Sequence, residues 1–295
     1  MSHVDASSKS TALADLLSLV KPRLSALVLC TTAGGIWLAG RPMALSQWLL
    51  ALLGTAGTVA AANALNCYLE RDTDRFMART RNRPLPAGRM EPAVALWFGL
   101  SLAALSLPAL FFGVNPLTAL LALVALCSYV LVYTPLKARS HHAMLVGAVP
   151  GALPPLIGWT AATGEVELPG VALFGILFLW QLPHFIAIAL FRKEEYRQAG
   201  LKSVPLEKGD DASRVQVLVY LVLLLPVTLL PYLLGVSGPL YLASALVLGG
   251  LFLAVGAWGT FRRLGPAWAR QLFFVSLVHL AGLFAALMID GGART

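Results

Sequence analysis

Residues 46–89 read SQWLLALLGTAGTVAAANALNCYLERDTDRFMARTRNRPLPAGR and contain the pattern on which the fold prediction rests. Residues 46–69 carry no charged side chain, and the loop that follows them is dense in aspartate, glutamate and arginine. A helix needs about 20 predominantly apolar residues to cross a lipid bilayer. We therefore interpret this stretch as a membrane-spanning helix that ends in a charged loop at the membrane surface.

The rest of the chain has a matching composition. Of its 295 residues, 58% are hydrophobic and only 12% are charged, whereas soluble domains are roughly 25% charged. Isolated cysteines and low charge exclude a disulfide scaffold, a disordered tail and a soluble nucleic-acid binder. We predict an all-α polytopic membrane protein, one integral-membrane domain over residues 1–295 with about nine transmembrane helices. The nine apolar stretches are 20–40, 46–69, 93–112, 116–134, 143–163, 170–191, 215–235, 238–260 and 268–289.

The predicted topology accounts for most of the net charge of +8. All but two of the 22 lysines and arginines fall on one side of the predicted bundle, and the exceptions are Arg41 and Arg294. Basic loops remain in the cytoplasm, so the N-terminus and the polar segment 1–19 are predicted to be cytoplasmic. Two loops on that side, 70–92 and 192–214, are longer than a connection requires and are the predicted active-site loops. The lipid bilayer is the expected partner, and nucleic acid is not.

The end of the second span carries a regular set of oxygen-bearing side chains. Asn66, Glu70 and Asp74 are spaced i, i+4 and i+8, which places them on one face of a continuous helix. Neighbouring carboxylates repel each other, so a compensating cation is expected. Magnesium ions commonly bind one or two carboxylates together with substrate phosphates. The spacing predicts a Mg²⁺ site at Glu70 and Asp74, which Asp72 can join if the helix frays there.

The loop after these carboxylates supplies guanidinium groups, among them Arg79 and Arg83. The planar fork of arginine matches phosphate oxygens in two-point contacts. Together, the acidic face and the arginines predict a site for a magnesium-bound diphosphate at the cytoplasmic end of the bundle. The alternative is a salt-bridge network at the membrane surface, in which the arginines serve topology alone. The regular acidic triplet favours the diphosphate site.

The segment NCYLERDTDRFMARTRNRPLPAGR, residues 66–89, resembles the first aspartate-rich motif of the UbiA-type intramembrane prenyltransferases. Further segments resemble the haem-directed branch of that family, and the resemblance covers nearly the whole chain. Many members of the wider family have a second acidic motif after span six, where this chain has Arg192 and Tyr196, which leaves the number of metal ions open. The further segments are KPR (21–23), YTPLK (133–137), GALPPLIGW (151–159) and WQLPHF (180–185).

The resemblance implies transfer of a farnesyl group from farnesyl diphosphate to a vinyl group of protoheme IX (haem b). The product would be haem O with its hydroxyethylfarnesyl side chain, and diphosphate would be released. It further implies Mg²⁺ as cofactor, haem b as substrate and a bacterial inner membrane with the active site facing the cytoplasm. Haem-modifying or terminal oxidase assembly proteins would be downstream partners. The implied catalytic residues are Asn66, Glu70, Asp74 and Lys137, the diphosphate-binding residues Arg79, Arg83 and Lys193, and the metal ligands Glu70, Asp74 and Asp72.

Haem would need a cavity, which we expect beside spans five and six because prolines interrupt both. His184 is the first choice to contact haem, since it is predicted to lie near the depth of the acidic face. Trp180 and Tyr196 are the other expected haem-binding residues. The alternative for His184 is a hydrogen bond to a carbonyl group freed by Pro183.

Three further histidines are weighed against His184. His279 lies near the middle of span nine, so it ranks second because it would hold the iron farther from the diphosphate. His141 and His142 lie in a short loop and are expected to be solvated.

Two rival functions remain open. A prenyltransferase of the same fold could act on a quinone precursor or another aromatic acceptor. A transporter or a haem-binding chaperone would also keep charged residues inside a helical bundle, but it explains the acidic and arginine-rich loop poorly.

Overall fold

A computed structural model describes residues 5–77 and 80–291, and within these ranges every regular element is a helix. Several long helices begin at a proline, which suits the first helical position because its missing N–H has no partner there. The α-helices in chain order are α1 (Asp5–Leu19), α2 (Pro22–Leu38), α3 (Leu45–Glu70), α4 (Pro92–Gly113), α5 (Pro116–Cys127), α6 (Thr134–Leu136), α7 (Ala143–Thr163), α8 (Leu168–Phe191), α9 (Lys193–Gln198), α10 (Val204–Glu207), α11 (Gly209–Leu233), α12 (Pro239–Phe261) and α13 (Pro266–Gly291). A 3₁₀ turn, Thr73–Phe76, follows α3, and a π-helical turn, Ser128–Tyr133, joins α5 to α6.

The all-helical membrane fold predicted from the sequence is confirmed. Within the described residues, eight helices of 18 or more residues are apolar enough to cross a membrane, counting Pro116–Leu136 as one. They coincide with eight of the predicted spans. The first predicted span corresponds to α2, which has 17 residues, so the number of nine crossings stays a prediction.

The proline-containing helices are not interrupted as the sequence suggested. Both α7 and α8 run continuously through their prolines, and Pro154, Pro155 and Pro183 are buried between helices. The two helices approach each other closely at Gly151, where an added Cβ would lie 2.1 Å from Gln181 Oε1. The prolines therefore do not break either helix.

Glycines set the spacing between α2 and α7. A Cβ added at Gly158 would lie 1.9 Å from the carbonyl oxygen of Thr32, and one added at Gly35 would lie 2.0 Å from that of Pro155. Small residues let membrane helices approach backbone to backbone, where van der Waals contact replaces the hydrophobic effect as the source of association. The two glycines thus fix α2 against α7.

The loops predicted to be cytoplasmic meet at one end of the bundle. Lys137 forms an ion pair with Glu70, and the backbone N–H of Lys202 donates to the carbonyl oxygen of Lys137 at 2.8 Å. Arg214 Nε donates to the carbonyl oxygen of Leu264 at 2.9 Å. These contacts join the loops that follow α3, α6, α8 and α12.

Part of the polar segment 1–19 forms helix α1, which packs on the same end. Leu19 is buried in a cluster with Cys67 and Leu85. Asp15 accepts hydrogen bonds from Arg89 Nε and Nη2 at 3.2 and 2.9 Å. The N-terminal segment therefore contacts the arginine-rich loop directly.

Substituting Gly158→Ala is expected to destabilise the protein by about 1–3 kcal/mol, because its methyl group would force α2 and α7 apart. The matched control is Gly250→Ala, since nothing lies within 4 Å of an added Cβ there and alanine is the better helix former. Thermal unfolding in detergent should show a lower midpoint for Gly158→Ala alone. Equal midpoints for the two variants would contradict the close contact.

Candidate active site

The acidic end of α3 turns earlier than the sequence suggested. The α-helix ends at Glu70, and Asp74 belongs to the 3₁₀ turn that follows. The prediction that Asn66, Glu70 and Asp74 share one face of a continuous helix is therefore wrong for Asp74. Asp74 is nevertheless buried within the turn.

Glu70 is paired with a lysine from another span. Lys137 Nζ donates to Glu70 Oε1 at 2.7 Å, and both side chains are largely buried. The ammonium group also lies 4.7 Å from the centre of the Tyr133 ring. Burial alone lowers the pKa of Lys137, but the adjacent Tyr133 and Glu70 outweigh burial, so its pKa lies above the ordinary value. Lys137 is therefore a fixed positive charge.

Asp74 is paired with an arginine from its own loop. Arg83 Nη1 donates to Asp74 Oδ2 at 2.7 Å, and the aspartate side chain is only 6% exposed. Thr80 Oγ1 donates to the backbone carbonyl oxygen of Asp74 at 2.8 Å, which closes the loop over the turn. Removing either member of such a buried pair leaves an uncompensated charge.

A second lysine completes the set, and sequence reasoning assigned it no role. Lys21 Nζ donates to Asn66 Oδ1 at 3.0 Å, and Asn66 Nδ2 donates to Thr134 Oγ1 at 3.0 Å. Lys21 lies in the KPR segment that carried part of the family resemblance, which was the one available signal. Three cations, Lys21, Arg83 and Lys137, thus contact Asn66, Asp74 and Glu70 respectively.

Asp72 does not join this group. Its side chain is 70% exposed and lies near Arg71 and Arg75, at 3.7 and 4.0 Å. Within the described residues no three histidine, cysteine, aspartate or glutamate side chains are close enough to hold a metal ion. Asp72 lies apart from the other two carboxylates here, and its role as a metal ligand stays a prediction. Glu70 and Asp74 remain as ligands for an ion that takes its other oxygens from a diphosphate.

Lys193, one of the predicted diphosphate-binding residues, has its observed partner away from α3. Its Nζ atom donates to Asp210 Oδ1 at 2.6 Å, within the second long loop. Arg79 lies outside the described residues. Tyr196 lies in the short helix α9 and is partly buried.

A cleft of about 350 Å³ opens beside the Glu70–Lys137 pair. Glu70, Thr134 and Lys137 make part of its lining polar. The rest of the lining is mostly apolar, and two of these residues, Leu69 and Leu131, are exposed on the outside of the bundle. The residues that line the cleft are Leu69, Glu70, Thr73, Val130, Leu131, Thr134, Pro135, Lys137, Ala138 and Leu201.

His184 is buried between α8 and α13. Its ring lies between those of Trp180 and Phe273, with centroid distances of 4.7 and 4.8 Å. Its Nδ1 atom is 2.7 Å from the hydroxyl oxygen of Ser276, and Trp180 Nε1 donates to the backbone carbonyl oxygen of Ser276 at 2.7 Å. The histidine is thus fixed by α13, and the carbonyl freed by Pro183 is not its observed partner.

Of the other histidines, His142 is exposed as predicted and only His141 differs from expectation. His279 is buried against Phe252 with ring centroids 5.3 Å apart, and neither ring nitrogen has a hydrogen-bond partner among the described residues. His141 is not solvated as predicted, because its Nδ1 contacts Glu207 Oε2. This hydrogen bond lowers the pKa of Glu207. It also ties the second long loop to the segment after α6.

Solved structures of about the same length share this fold. A structure described as digeranylgeranylglyceryl phosphate synthase has a TM-score of 0.82 at 20% identity, covering 95% of this chain and 99% of that chain. A UbiA homolog from Archaeoglobus fulgidus bound to DMAPP and Mg²⁺ has a TM-score of 0.65 at 20% identity, covering 93% and 99%. At this identity the likeness concerns the fold alone.

Comparison of amino-acid sequences identifies relatives more specifically than the likeness of fold does. A protein of Myxococcus xanthus (strain DK1622) named protoheme IX farnesyltransferase is 68% identical over 285 residues, which cover 97% of each chain. One of the same name from Sorangium cellulosum (strain So ce56) is 52% identical over 89% of this chain and 99% of its own. Residues 27–278 match the model of the UbiA prenyltransferase family. The chain belongs to the UbiA prenyltransferase family.

Proposed function

We propose that this protein transfers the farnesyl group of farnesyl diphosphate to a vinyl group of protoheme IX, which gives haem O and releases diphosphate. The observation that carries the proposal is the gathering of Lys21, Arg83 and Lys137 around the polar end of α3. The names of the 68% and 52% identical relatives support the choice of substrates. Membership in a prenyltransferase family argues against the transporter and chaperone alternatives.

The three cations would bind the diphosphate group. Each now contacts an acidic or amide oxygen at 2.7–3.0 Å. When a magnesium-bound diphosphate enters, Glu70 and Asp74 would hold the metal ion, and the cations would turn to phosphate oxygens. Mg²⁺ supplies charge neutralisation for the leaving group. The fixed cations stabilise the negative charge that develops as the C–O bond breaks.

The reaction balances without any redox partner. The C–O bond of farnesyl diphosphate breaks, and the terminal vinyl carbon of haem b forms a bond to the allylic carbon. Water then adds to the cation left on the inner vinyl carbon and loses a proton, which completes the hydroxyethylfarnesyl side chain. Diphosphate leaves, and the haem iron keeps its oxidation state.

The isoprenoid chain would lie in the apolar part of the cleft, beside Leu69 and Leu131. The rings of Tyr129 and Tyr133 lie 5.3 Å apart near Lys137. Their faces can stabilise positive charge on the allylic group. Their bulk also excludes water from it until the vinyl carbon reacts.

His184 is the proposed haem contact, with Trp180 stacked on it and Tyr196 as a further haem-binding residue. Ser276 Oγ donates its single proton to the carbonyl oxygen of Phe273 at 2.6 Å, so it accepts from His184 Nδ1–H. The Nε2 atom of His184 then carries the lone pair, and neutral imidazole with a free nitrogen is a haem-iron ligand.

The proposed location is a bacterial inner membrane, with the site on the cytoplasmic face. The basic residues concentrated at the site's end of the bundle support this orientation. Enzymes that modify haem further, or proteins that assemble terminal oxidases, would take up the product there.

Purified protein should form the farnesylated haem from haem b but no product from 4-hydroxybenzoate, as measured by mass spectrometry with labelled farnesyl diphosphate. Glu70→Gln and Asp74→Asn should each reduce the rate by about 100-fold or more, because a metal ligand is lost. The matched control Asp72→Asn makes the same charge change at an exposed position and should keep most activity. Product from 4-hydroxybenzoate alone would overturn the choice of acceptor, and full activity of Asp74→Asn at limiting Mg²⁺ would overturn the metal assignment.

Substituting His184→Phe should weaken haem binding and change the haem absorption spectrum, because phenylalanine keeps the stacking but removes the nitrogen. Binding of magnesium pyrophosphate should stay within about twofold, since those contacts come from other helices. The same change at His279 serves as the control and should leave the spectrum unaltered. The opposite result, with haem binding lost only in His279→Phe, would assign the iron to the deeper histidine.

Orientation can be checked by single cysteines at Ala87 and Glu165, in a background without Cys30, Cys67 and Cys127. Glu165 lies in the connection between α7 and α8, at the opposite end from the site. A membrane-impermeant thiol reagent applied to intact cells should label position 165 and spare position 87. A permeant reagent should label both. The reverse labelling pattern would place the site outside the cytoplasm.

A further inference from the structure

A π-helical turn lies directly beside the site. Residues Ser128–Tyr133 form this turn, and Pro135, which has no N–H to donate, follows within two residues. Such turns occur preferentially at functional sites. Here the turn brings two donors to the carbonyl oxygen of Tyr129. Both come from Thr134, namely its backbone N–H and its hydroxyl group.

The hydroxyl proton of Thr134 is committed by this contact. Thr134 Oγ1 donates to the carbonyl oxygen of Tyr129 at 2.8 Å. A hydroxyl group has one proton and two lone pairs, so its oxygen can only accept from other partners. It accepts from Asn66 Nδ2 at 3.0 Å, and both side chains are buried.

The orientation of the Asn66 amide is thereby determined at both ends. Its Nδ2 must face Thr134, which leaves Oδ1 to face Lys21 Nζ at 3.0 Å. A flipped amide would place its NH₂ group against the ammonium of Lys21 and its oxygen against a hydroxyl group with no free proton. Two buried groups would then lose their hydrogen bonds.

The backbone of Lys21 is constrained as well. Its φ angle is 49°, in the left-handed region that non-glycine residues seldom adopt. Pro22 begins α2 immediately after it. The left-handed residue turns the chain between α1 and α2, and the side chain crosses to Asn66 on α3.

We propose that Thr134 is a positioning residue of the site: its hydroxyl group orients the Asn66 amide, which in turn holds Lys21 beside the polar end of α3. This inference rests on the proposed function, since it assigns Lys21 to the diphosphate. Thr134 has no proton left to donate to the diphosphate, because its hydroxyl group donates to the carbonyl oxygen of Tyr129. The series of hydrogen bonds runs from the carbonyl oxygen of Tyr129 through Thr134 and Asn66 to Lys21.

The test is binding of magnesium pyrophosphate to the purified protein, which requires no acceptor. Thr134→Val removes the hydroxyl group at nearly constant volume and should weaken binding about tenfold. Thr134→Ser restores the hydroxyl group and should bind within about twofold of wild type. The matched control is Thr118→Val, which removes a buried hydroxyl group at the far end of the same span and should not alter binding.

Coupling to Lys21 separates positioning from a general structural effect. Lys21→Met should also weaken pyrophosphate binding. Adding Thr134→Val to it should cause little further loss, because both changes disrupt the same series of hydrogen bonds. Turnover should show the same pattern as a raised KM for farnesyl diphosphate with an unchanged KM for haem b. If Thr134→Val does not fold, Thr134→Ala takes its place in both measurements.

Three outcomes would each overturn the proposal. They are wild-type binding of pyrophosphate by Thr134→Val, equal losses of binding in the valine and serine variants, and additive losses when Thr134→Val is combined with Lys21→Met. The outcome is separate from that of the proposed function. A protein that binds pyrophosphate with this pattern of variants but never farnesylates haem b retains the role of Thr134 and loses the proposed acceptor.

Discussion

Two ion pairs at the end of α3, Glu70–Lys137 and Asp74–Arg83, are largely buried, and this constraint shapes the site. A buried carboxylate or ammonium group is strongly disfavoured unless it is paired and hydrogen-bonded. Glu70 is therefore paired with Lys137 from the segment after α6, and Asp74 is paired with Arg83 from its own loop. The loops after α3 and α6 are fixed where they are because these pairs must form.

The same constraint prepares the site for a charged ligand. A set of cations already desolvated and held within about 3 Å of oxygen atoms needs little reorganisation to exchange those oxygens for phosphate oxygens. Under the proposed function, the carboxylates released by that exchange would be the ligands of a magnesium ion. The same residues would then serve pairing without ligand and binding of ligand, and the amide of Asn66 would join the third cation to them.

The bundle behind the site depends on a different constraint. In a bilayer the helices gain stability from close contact and from internal hydrogen bonds, since lipid is as apolar as leucine. Gly35 and Gly158 bring α2 and α7 together backbone to backbone. This contact fixes where α2 begins and hence where Lys21 stands relative to α3. The two glycines within the bundle therefore affect the position of the Lys21 charge at the end of the bundle.

The sequence by itself determined the membrane fold, the placement of most helices and the presence of acidic and arginine side chains together at the end of the second span. These follow from local signals, namely the length of apolar runs, the distribution of lysine and arginine, and motif spacing. The tertiary structure alone decided that Asp74 leaves the helix, that Asp72 and Lys193 lie away from the site, and that Lys21 and Thr134 belong to it. The physical reason is that pairing among buried polar groups joins residues 45 to 92 positions apart, such as Lys21 with Asn66 and His184 with Ser276, and helical periodicity carries no information about such contacts.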